Sequence, residues 1–60
     1  MTHTDYFITA FRFNETFDTE AKARKRFEEV KTRFTYCELK QAETDDETYY
    51  YAKSLEIYRK

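Results

Sequence analysis

The segment DTEAKARKRFEEVKTRF, residues 18–34, decides how this chain folds. Its apolar residues Ala23, Phe27, Val30 and Phe34 recur at steps of four, three and four, which puts them on one narrow stripe of a helical wheel. The spacing predicts a helix over residues 19–34. Asp18 stands where a side-chain oxygen can cap the first turn, and Phe17 in front of it can pack back on that turn. Asp18 and Glu20 near the start, and Lys31 and Arg33 near the end, complement the helix dipole. Glu20 with Arg24 and Glu29 with Arg33 are favourably ordered pairs four residues apart.

Outward from the helix the period changes from near four to two. Upstream, residues 6–13 are aromatic or β-prone and alternate, with Phe7, Thr9, Phe11 and Phe13 on one side and Tyr6, Ile8, Ala10 and Arg12 on the other. This is read as the first strand. Downstream, residues 36–42 alternate again, setting Cys37 and Leu39 opposite Tyr36, Glu38 and Lys40. The polar run at residues 43–47 is read as a turn, and residues 48–58, rich in Tyr, as the returning arm of a hairpin. Lys53 interrupts one register of that arm. Thr44 and Glu47 also fit a helix capping box, but three consecutive tyrosines at hairpin distance from another strand favour β structure.

The expected fold class is therefore α+β, a single β-α-β-β domain over residues 1–60. The expected sheet is three-stranded and antiparallel in the order 1-3-2, half of a ferredoxin-like split unit, with one helix on one face. Its expected core is Phe7, Phe11, Phe13, Phe27, Val30, Phe34, Leu39, Leu55 and Ile57, with Ala23 and Cys37. Alternation then sends Tyr6, Ile8, Tyr36, Tyr50 and Tyr58, together with Ala10 and Ala52, to a face that a single helix cannot cover. An uncovered aromatic patch on a small protein is the kind of surface that marks an interaction site. Self-association through that face or a strand edge is the expected role, set against a merely half-wet sheet.

Composition narrows the function classes. Eleven basic and 12 acidic residues nearly cancel, which argues against a dedicated polyanion or membrane partner. Gly and Pro are absent, so turns must rely on Asp, Asn and Thr. No apolar run approaches a membrane span, and a lone Cys37 suits a reducing compartment, so a cytoplasmic location is expected. A domain this small, without disulfides or an evident metal site, has reason to oligomerise, and a homodimer or another protein is the expected partner. The size also suits an accessory protein of the phage or plasmid kind.

Catalytic chemistry finds little material. His3 is the one imidazole and sits near the start of the chain, Cys37 lies on the expected core face, and no base stands beside a nucleophile. The acidic cluster Glu43, Asp45, Asp46 and Glu47 matches no calcium loop, and zinc spacing and a phosphate loop are lacking. No cofactor, metal or enzyme activity is expected. The alternative is a single-stranded RNA- or DNA-binding module, with sheet tyrosines stacking bases and Lys22, Arg24, Lys25 and Arg26 on the helix meeting phosphates. Residues 18–33 carry six basic and four acidic side chains, whereas residues 36–48 carry one basic and five acidic.

Overall fold

The structure, a computed structural model, describes residues 2–45 and 47–60. Asp46 of the acidic cluster and Met1 lie outside the described residues. The elements are β1 (His3–Ala10), β2 (Phe13–Phe17), α1 (Glu20–Val30), β3 (Tyr36–Thr44) and β4 (Tyr49–Arg59). The class is α+β with one helix on an antiparallel sheet, but the sheet has four strands in the order β2-β1-β3-β4.

The expected first strand is thus a hairpin. Its two-residue turn, Phe11 and Arg12, joins Ala10 to its partner Phe13. Arg12 takes φ 58°, the left-handed region that hairpin turns ordinarily fill with Gly, Asn or Asp. Because neither turn residue is one of these, the turn leaves no compositional mark. β2 and β3 both run antiparallel to β1 and so parallel to each other. The strand-helix-strand connection survives as β2-α1-β3, with β1 filling the gap where the last strand was expected.

The hairpin also reverses which face of β1 is buried. Ile8 is fully buried with Ala23, Phe27, Val30, Cys37 and Leu39, while Tyr6, Ala10, Phe13, Phe17, Phe34, Leu55 and Tyr58 pack around them. Phe7 points to the other face, Phe11 is 79% exposed in the turn, and Ile57 is 48% exposed, so these three leave the expected core. The reason is volume. Phe27 brings a large ring down from the helix, and the sheet beneath must offer smaller side chains, here Ile8, Ala10, Cys37 and Leu39, with aromatic rings kept to the rim.

The helix starts one residue later than expected and is shorter. Thr19, in extended conformation, is the cap and its Oγ1 accepts the Lys22 N–H at 3.3 Å. Asp18 instead accepts from Lys22 Nζ at 3.0 Å. After Val30, hydrogen bonds from Thr32, Arg33 and Phe34 back to Glu29 and Val30 wind the chain into a turn that delivers Phe34 against Phe13 at 5.5 Å between ring centroids.

β4 resolves the register conflict at Lys53 with two irregularities. One sets Tyr51 and Ala52 opposite the single residue Ala42, with Tyr51 at φ 51°, and the other leaves Leu55 without a direct partner. That second offset lets Leu55 and Tyr58, three apart, both reach the core. On the face away from the helix, Phe7 and Tyr49 meet edge to face at 5.4 Å, bracketing the buried Ala42 between them in the register.

Two stability changes follow. Phe27→Ala removes the central ring and costs about 3–5 kcal/mol, enough to abolish cooperative unfolding in a domain this small. Arg12→Asn relieves the left-handed turn and raises the unfolding free energy by about 0.5–1 kcal/mol. Urea denaturation followed by circular dichroism measures both.

Candidate functional site

The five residues expected to form one interaction face are divided by the sheet. Ile8 is inside the core, and Tyr6 and Tyr58 pack against it on the helix side. Tyr36 is exposed at the start of β3, while Tyr50 is exposed at the start of β4, near the opposite end of the strand pair. These residues do not share a surface. The face away from the helix is instead mixed: Thr9, Thr16 and Asn14 lie beside Phe7, Glu38, Lys40 and Ser54 in the paired strands.

What remains apolar and open is concentrated on β4. Tyr49, Tyr50, Tyr51 and Ile57 are exposed, Tyr51 to 86%. β4 is also an edge: among the described residues it pairs with β3 on one side and with no strand on the other. At eleven residues it is more than twice the length of the opposite edge, the five-residue β2. The turn before it is closed by Asp45, whose Oδ1 accepts the N–H groups of Glu47 and Thr48 at 3.0 and 2.9 Å. Its Oδ2 accepts the Tyr50 hydroxyl at 2.9 Å. The two backbone donors, followed by the tyrosine, hold this carboxyl below the usual carboxylate range.

The helix cations expected to meet phosphates are largely committed to carboxylates. Lys22 is bound to Asp18, Arg24 to Glu20 at 2.6 Å and to Glu56 at 3.2 Å, and Arg26 to Glu15 at 2.9 Å and Glu29 at 2.6 Å. Lys25 alone of the four has no ion pair among the described residues. These pairs are structural in their placement. Arg26 ties α1 to β2, whereas Arg24 and Lys31 tie it to β4 through Glu56, Lys31 at 2.9 Å. Lys31 also lies 5.0 Å from the Phe27 ring centroid and 5.8 Å from that of Tyr58, so its stem and charge close the rim of the core. The hydrogen bond from Lys31, joined by the Lys31 and Arg24 charges and opposed by burial, holds the Glu56 carboxyl below its ordinary value.

The remaining chemistry is sparse. Burial pushes the Cys37 thiol up, away from the reactive thiolate. His3 Nε2 lies 3.2 Å from Asp5 Oδ1, on the exposed start of β1. Among the described residues no three His, Cys, Asp or Glu side chains gather as a metal set, and no helix is long and apolar enough to cross a membrane. The chain matches no protein-family model, no curated protein and no solved structure.

Glu56 makes the helix-to-edge link pH-dependent. Its folded pKa lies below the ordinary 4.5, so the link contributes fully above that value and fades as the pH falls through the lower folded one. Glu56→Gln should lower the folding equilibrium constant roughly two- to five-fold at neutral pH. The difference from the parent chain should vanish in strong acid, as measured by urea denaturation at the two pH values.

Proposed function

We propose that this chain is a non-catalytic interaction protein that self-associates by antiparallel pairing of β4 with β4 of a second copy. The observation that carries this reading is the unpaired outer edge of β4 combined with its exposed Tyr49, Tyr50, Tyr51 and Ile57. An open edge presents a row of N–H and C=O groups that another strand can satisfy. Aromatic side chains flanking that edge add buried area at low entropic cost.

A second copy is the occupant that the charge balance favours. With 11 basic and 12 acidic residues, two copies repel each other little. Antiparallel pairing of one strand with itself is two-fold symmetric, so it consumes the long edge of both copies and closes. The irregularities at Tyr51 and Leu55 and the charge of Lys53 break the edge into short runs. Such devices blunt an edge against pairing, so the pairing proposed here uses the regular run after Leu55, which carries Ile57. A small core also gains from the burial, since a chain of 60 residues buries only about 60% of its unfolded surface alone.

Light scattering across a concentration series should show a dimer. Ile57→Lys should weaken the association at least about tenfold, because each of the two copies loses the burial of a half-exposed aliphatic side chain, while Thr16→Lys on the β2 edge should leave it unchanged. A strict monomer at every concentration would overturn the proposal.

A further inference from the structure

The end of the sheet opposite the acidic turn gathers cations and rings that the helix ion pairs leave out. A groove of about 330 Å³ opens there, lined by Thr9, Ala10, Phe11, Phe34, Thr35 and Tyr36. A second depression shares Phe34 and Thr35 with it and adds Arg33 and Lys60. The Lys60 N–H donates to the Thr35 carbonyl at 2.8 Å, which pins the two together. The guanidinium of Arg12 lies 5.4 Å from the Phe11 ring centroid, and that of Arg59 lies 5.6 Å from the Tyr36 centroid. Phe11 and Tyr36, the two exposed rings of this groove, thus each have a guanidinium over them. Arg12, Arg33, Arg59 and Lys60 have no carboxylate partner among the described residues, in contrast to Arg24 and Arg26. Glu28, the carboxylate lining the second depression, is held by Lys31 at 2.7 Å.

From this convergence we infer that the groove at Phe11 and Tyr36 binds single-stranded nucleic acid. A guanidinium that moves from its ring to a phosphate frees the ring face to stack an unpaired base whatever its sequence, and the ammonium group of Lys60 meets a neighbouring phosphate. A duplex would hide its base faces from Phe11 and Tyr36. An acidic peptide would engage the cations but leave the rings idle, so the pairing of ring with cation favours the nucleic acid. The groove lies at the end of the sheet and meets the β4 edge only at Arg59, the last residue of that strand, while Phe11, Arg12, Arg33 and Tyr36 lie off it.

The test is fluorescence anisotropy with a labelled oligouridylate of about a dozen nucleotides, against duplex DNA of equal length and polyglutamate as competitors. The expected result is binding of the single strand in preference to both. Phe11→Ala and Tyr36→Ala should each weaken it about fivefold or more. Arg12→Gln combined with Arg59→Gln should flatten the salt dependence, by about 0.7 in log–log slope for each phosphate no longer neutralised. Lys25→Gln on the helix should leave affinity unchanged, and circular dichroism checks that every variant is folded. No binding at low salt, ring variants as tight as the parent, or equal displacement by polyglutamate would overturn the inference. Loss of binding in the Lys25 variant would also overturn it, by moving the site to the helix.

Discussion

The seating of Phe27 is the constraint on which the rest of the structure depends. One helix supplies one large ring, and the sheet beneath answers with Ile8, Cys37 and Leu39, all fully buried. That requirement selects the even-numbered face of β1 and sends Phe7 outward. It also explains the ring of aromatic residues around the core, where Tyr6, Phe13, Phe17, Phe34 and Tyr58 cover the flanks of a helix too narrow to shield four strands.

Ion pairs then fix the helix sideways. Arg26 reaches Glu15 on β2, and Arg24 and Lys31 converge on Glu56 of β4, so α1 is held to both outer strands across the two central ones. Individually such exposed pairs contribute little. Their consequence for function is larger, because charges committed to the frame are withdrawn from any partner. The helix, basic in the sequence, offers few uncommitted cations, whereas the far end of the sheet keeps Arg12, Arg33, Arg59 and Lys60 open.

The two surfaces proposed for binding arise from the same constraint. β4 is long because it completes the core with Leu55 and Tyr58, and its length leaves an unpaired edge with exposed tyrosines at its start. The groove at Phe11 exists because a two-residue turn must project its side chains beyond the sheet. Each surface uses groups the core could not absorb.

The helix was legible in the sequence from Ala23, Phe27, Val30 and Phe34, as was the β3-β4 hairpin from alternation around an acidic turn, because both signals are local periodicities. The β1-β2 turn was not, since Phe11 and Arg12 carry none of the residue types that mark one and the left-handed φ at Arg12 is imposed by the strands it joins. Missing that turn hid β2 and inverted the face assigned to β1, because a period-two pattern names two faces without saying which is buried. The interaction residues scattered for the same reason: Tyr6, Ile8 and Tyr58 went to the helix side, and Tyr36 and Tyr50 to opposite ends. Local sequence thus determined the class, the helix and its apolar stripe. Only the tertiary structure, through the volume of Phe27 and the offsets in β4, decided which rings are core and which stay exposed.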